Sequence, residues 1–146
     1  MPCSNQLSYP ATGGAIKRRG GGLSRNARSD YFSRPYFSRI PDQSLVADTL
    51  TGVDHLQATR GDGYLFVYSA QGRPFDVVMG KISGDTVVAW WFNPRSGDAM
   101  SIGRYANTGT RTFTPPSQGF GSDWVLVADD ASKRFAAPGA APARAR

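Results

Sequence analysis

The strongest hydropathy pattern in the chain is the apolar run Val87-Val88-Ala89-Trp90-Trp91-Phe92, closed by Asn93-Pro94-Arg95-Ser96-Gly97. A period of two puts Val87, Ala89 and Trp91 on one face and Val88, Trp90 and Phe92 on the other, which predicts a strand buried on both faces. Proline fixes φ and glycine supplies φ > 0, so Asn93–Gly97 ends the strand and Asp98–Ile102 returns as the second arm of a hairpin. Large aromatics dominate core energetics, and two adjacent tryptophans on opposite faces would anchor two packed layers.

The same pattern repeats in weaker form. His55–Thr59 alternates weakly, and Arg60-Gly61-Asp62-Gly63 carries the Asp-Gly hairpin signal. Tyr64–Tyr68 alternates aromatics with Leu65 and Val67. Phe75–Met79 is a strand, Ser83-Gly84-Asp85 a turn, Asn107-Thr108-Gly109 another turn, and Thr110–Thr114 a short strand. Pro115-Pro116 opens a loop, and Ser122–Asp129 is the last strand. These short, turn-bounded strands predict an all-β fold, an antiparallel β-sandwich. A parallel α/β fold is disfavoured, because no crossover segment is long and periodic enough for its helices.

The flanks change the picture. Residues 1–30 are rich in Gly, Ser and Arg and are expected to be a disordered basic tail. Residues 31–44 form an extended lead-in with returning aromatics and two prolines, in which Asp42 or Ser44 can cap a helical turn. The sandwich is expected over 45–136, and a disordered Ala/Pro/Arg tail over 137–146. The net charge is +6, with 17 basic residues set against 11 acidic ones, yet the excess is local. Residues 1–40 hold Lys17, Arg18, Arg19, Arg25, Arg28, Arg34 and Arg39 against Asp30 alone, so the remainder of the chain is neutral. The high pI belongs to a tail. Without a folded nucleic-acid module beside the tail, nucleic acid is set aside as a partner. No stretch could span a membrane, and no apolar run of signal-peptide length opens the chain.

Candidate chemistry is sparse. Cys3 and His55 are the only residues of their types, so neither an internal disulfide nor a multi-histidine metal site is possible, and no metal or other cofactor is expected. His55 has no Ser or Cys partner in a local motif and is read as an ordinary strand residue. Every carboxylate side chain is an aspartate, and most flank turns. Asp129-Asp130 is read as a solvated strand terminus in preference to a cation site. Arg60-Gly61-Asp62 spells an adhesion tripeptide, but turn chemistry alone explains it. No catalytic residue is identified. Aromatics are the better lead, with Trp90, Trp91, Arg95, Tyr105 and Trp124 as candidate ligand-binding residues. Most large rings should be core in so small a sandwich, so Trp90, Trp91 and Trp124 are expected to be mainly core, with Arg95 and Tyr105 near one rim.

One resemblance bears on function. From about Ser33 to Gly139 the chain resembles the C-terminal β-sandwich of apiosidase-like glycoside hydrolases, known as the "putative collagen-binding domain of a collagenase". The pieces that carry it are Arg39–Leu45, Asp62-Gly63-Tyr64 through Val67-Tyr68, Ala89–Gly97, Phe113-Thr114-Pro115-Pro116, Asp123–Val127 and Asp129-Asp130. In that family a (β/α)8 barrel precedes the sandwich and carries the catalytic acids. No barrel fits here, so the resemblance transfers no catalytic residue. It implies a non-catalytic accessory sandwich of a glycoside hydrolase-like protein, a fragment of the family architecture. Its partner would be such a barrel, and its ligand a polysaccharide or a collagen-like chain. Relatives with the full architecture are typically bacterial and often exported. The alternative is a carbohydrate-binding module using exposed aromatics, which requires at least two co-planar exposed rings.

Overall fold

Strict alternation in Tyr64-Leu65-Phe66-Val67 sorts the chain into two layers. The computed structural model describes residues 34–140; the tail expected over 1–30 and most of that expected over 137–146 lie outside them. Among the described residues eight strands form, all paired antiparallel: β1 (Ile40–Pro41), β2 (Leu56–Gly61), β3 (Tyr64–Ser69), β4 (Phe75–Val78), β5 (Thr86–Phe92), β6 (Ala99–Ala106), β7 (Thr110–Phe113) and β8 (Trp124–Asp130). Six of them make one sheet in the order β1-β2-β3-β8-β5-β6, and β4-β7 make a second. The antiparallel sandwich expected from the pattern is the observed fold.

Inner-face residues from the large sheet are Leu56, Ala58, Leu65, Val67, Val87, Ala89, Trp91, Leu126 and Ala128, all buried. Phe75, Val77 and Phe113 of the small sheet pack onto them, with Phe75 edge-on to Trp91 at 6.0 Å between ring centroids. Leu45 and Val46 join this core, and Val46 bridges to Val77. The 3-10 turn Gln43–Leu45 delivers them, with the Asp42 side chain accepting from the Ser44 amide at 3.1 Å.

The outer face carries a smaller cluster of Tyr64, Phe66, Phe92 and Val127. Chain segments, not a sheet, cover it. Tyr64 donates its hydroxyl to the Pro35 carbonyl at 2.7 Å, and the Arg39 guanidinium lies 4.7 Å from the Phe66 ring centroid. Phe135, arriving from after β8, meets Tyr64 edge-on at 6.2 Å. This cover is incomplete, so Val88 and Trp90 remain half-buried and β5 is fully enclosed only on its inner face.

Three local expectations change. His55 is not a strand residue: it ends the 3-10 turn Gly52–Asp54, its amide donating to the Gly52 carbonyl, and β2 begins one residue later. β6 runs on to Ala106, past the expected Ile102, through a bulge. Ala89 pairs with Gly103 and Trp90 with Ser101, leaving Ile102 as the extra residue. Asp129 and Asp130 are not a solvated terminus, since each is 3% exposed. Burial of a charge requires partners, and both have them.

Asn107 shows what a turn residue can do once buried. Its Oδ1 accepts from the Gly80 amide at 2.8 Å, and its Nδ2 donates to the Ile82 and Gly84 carbonyls at 2.8 and 2.7 Å. One side chain thus satisfies three backbone groups of the loop between β4 and β5. Asn107→Ala leaves those groups unpaired and should cost about 2–4 kcal/mol, read as a lower urea midpoint with an unchanged m-value.

Candidate functional site

Cross-strand partners share a face, and the register therefore lays out the outer surface in rows. One row crosses β3, β8, β5 and β6 as Tyr64, Asp129, Val88 and Arg104. The next row is Phe66, Val127, Trp90 and Ser101. The 3-10 turn Ala131–Lys133 follows β8, and Arg134 leaves it in the left-handed region at φ 52°. Between this segment and β5–β6 lies a groove of about 260 Å³, whose side chains include Val88, Trp90, Arg104, Arg134 and Phe135.

The floor of the groove is a buried ion pair. Arg34 Nε donates to Asp129 Oδ1 at 2.9 Å, and Nη2 donates to both Asp129 Oδ2 and the Ala136 carbonyl. Burial pushes the Asp129 carboxyl above its ordinary range, and the Arg34 guanidinium opposes that rise. Asp130 points to the other face, because it pairs with inner-face Val87. Ser83 Oγ donates to its Oδ2 at 2.7 Å, and the Ser132 hydroxyl and amide donate to Oδ1 at 2.7 and 2.8 Å. These hydrogen bonds hold the Asp130 carboxyl below the usual value.

The residues singled out from the sequence do not gather in one place. Trp91 and Trp124 are 3% and 6% exposed and belong to the inner core. Trp90 is half-buried on the outer face. Arg95 and Trp124 do meet: the guanidinium sits 5.5 Å from the indole centroid and 3.2 Å from Asp123 Oδ1, and it donates to the Gly121 carbonyl. Tyr105 lies elsewhere, edge-on to Phe113 at 5.7 Å with Arg111 over its ring at 4.1 Å. It pairs with Val87 at the start of β5, whereas Arg95 follows the end of that strand. The two are therefore separated by the stretch of β5 from Val87 to Phe92, roughly 17 Å at 3.3 Å per residue, and do not share one rim. Two exposed neighbouring rings, Tyr36 and Phe37, stand at 79° to each other and so make no flat platform. In the adhesion-like tripeptide, Arg60 is paired with Asp42 at 2.6 Å and Asp62 with Lys133 at 3.2 Å. Among the described residues, no group of three His, Cys, Asp or Glu is placed to hold a metal ion.

Reading the sequence missed Arg34, Arg104 and Arg134. Arg34 looked like part of a basic arm. Arg104 was hidden by the bulge, since unbroken alternation from Ser101 would send it inward and Tyr105 outward. Ile102 reverses that phase.

The antiparallel sandwich and its groove are matched by an accessory class of domain among known proteins. Residues 40–129 match the family described as "Putative collagen-binding domain of a collagenase", and the chain belongs to that family. No curated protein matches the chain. A solved glycoside hydrolase is similar at 40% identity and a TM-score of 0.65, over 68% of this chain and 22% of its own. A glycoside hydrolase family 5 crystal structure from Bacteroides vulgatus ATCC 8482 is similar at 31% identity and a TM-score of 0.72, over 80% of this chain and 26% of its own. The chain thus spans about a quarter of the length of these glycoside hydrolases.

The two aspartates titrate with different consequences. A depressed folded pKa stabilises above the unfolded value of 3.8 and loses that contribution as pH falls through it. Asp130→Asn should therefore lower the urea midpoint at pH 7, with the gap to the native chain closing below about pH 3.8. Arg34→Ala leaves Asp129 with only the burial that raises its pKa. Its cost, about 3–5 kcal/mol at pH 7, should shrink as pH falls towards 3.8 from above, where Asp129 takes up a proton. Urea melts across pH 2–7 separate the two windows.

Proposed function

We propose that this chain is a non-catalytic accessory domain that works beside a glycoside hydrolase catalytic domain and helps present a polysaccharide or collagen-like chain to it. The observation that carries this is the family match combined with glycoside hydrolases of which the matching part is only 22–26%. The chemistry of the fold supports it. Glycoside hydrolysis normally needs two carboxyl groups flanking one bond. The buried aspartates here are adjacent on β8, so they face opposite sides of the sheet, and each is already held by hydrogen bonds. An apolar patch of Tyr36, Phe37 and Ile40 on the lead-in suits packing against a neighbouring domain.

Of the two ligand classes, saccharide is favoured by Trp90, an indole left half-open on the outer face where the covering segments leave a groove. The purified chain should release no reducing ends from a panel of plant polysaccharides. Turnover that survives repurification and disappears on substituting an aspartate would overturn the non-catalytic reading.

A further inference from the structure

We propose that the groove between the β5–β6 face and the segment after β8 binds an acidic saccharide, with Trp90 stacking on a uronic-acid ring and Arg104 and Arg134 holding its carboxylate. This rests on the saccharide-binding reading above and adds the site and the charge of the ligand.

The arginines carry the argument. Eight lie among the described residues. Arg34, Arg60, Arg73 and Arg95 each pair with an aspartate, and Arg39 and Arg111 lie over aromatic rings. Arg104 and Arg134 do neither, and both border the groove that holds Trp90. A guanidinium offers a planar fork that matches a carboxylate in two parallel hydrogen bonds. Nothing in the groove answers that charge. Asp129 is neutralised by Arg34, and Asp130 turns its carboxyl to the other face. The groove therefore keeps two cationic groups without an internal counter-ion.

The backbone points the same way. Arg134 is one of two non-glycine residues at positive φ among the described residues. A side chain in that region is disfavoured, and such strain clusters at ligand sites. Trp90 supplies the remaining element. It is the only tryptophan of the three that reaches solvent to any extent beyond a few per cent, and an indole beside guanidinium groups matches a ring that bears both apolar C–H faces and a charge. At about 260 Å³ the groove has room for one sugar ring.

The test is titration of the full chain with oligogalacturonate and oligoglucuronate, followed by tryptophan fluorescence and calorimetry. Carboxyl-reduced forms of both oligomers serve as neutral controls, and oligo-glutamate as an acidic peptide control. Uronates should bind saturably, and more weakly as salt rises. Arg104→Gln with Arg134→Gln should weaken binding about tenfold or more, as should carboxyl reduction of the oligomer. Both arginines are exposed, so the double variant should keep the native melting temperature. Trp90→Phe should retain binding that Trp90→Ala loses. Neutral oligomers binding as tightly as uronates, with the arginine variant unaffected, would overturn the acidic specificity and leave the saccharide reading standing. Binding of neither kind would overturn both. Oligo-glutamate binding as tightly as uronate would overturn the saccharide assignment.

Discussion

The pairing of Arg34 with Asp129 is the constraint on which the outer half of the molecule depends. A carboxylate in the middle of a sheet cannot stay ionised there alone. Its counter-ion comes from the far N-terminal end of the described chain, and the same guanidinium reaches the Ala136 carbonyl at 3.1 Å. One side chain therefore ties the lead-in, the central strand β8 and the C-terminal segment together. Tyr64, bonded to Pro35, and Phe135, packed on Tyr64, complete the cover around it.

β8 divides the protein's two kinds of work. Its inward side chains, Trp124, Leu126 and Ala128, join the core shared with the small sheet. Its outward ones, Val125, Val127 and Asp129, meet chain segments that leave a groove open. The inner layer is closed and apolar, and so is suited to hold a shape. The outer layer is partly polar and incompletely filled, and so is suited to meet something else. The two properties come from the two faces of a single sheet.

The layering was legible in the sequence because it rests on local alternation. Tyr64–Val67 and Val87–Phe92 sort their side chains by period alone, and Asp62-Gly63 announces its hairpin. What was not legible depends on distant or irregular geometry. Nothing local marks Arg34 as the partner of a residue 95 positions away. Asn107 reads as an ordinary turn residue until three backbone groups converge on it. The bulge at Ile102 decides which of Arg104 and Tyr105 faces outward, and a one-residue phase change leaves no signature in composition. Asp129-Asp130 misled for a related reason: a charged pair at a strand end is usually wet, and here both of its members are covered.

The two margins of the large sheet are built differently, and both discourage further strand addition. β1 is only two residues long, and its Pro41 has no amide hydrogen to offer. β6 is long, but the extra residue at Ile102 and the φ of 126° at Gly103 break the regular spacing of its free amides and carbonyls. A second chain could not extend the ladder on either side without meeting a gap. The margins of the large sheet thus resist templating aggregates, and its associations are left to its faces.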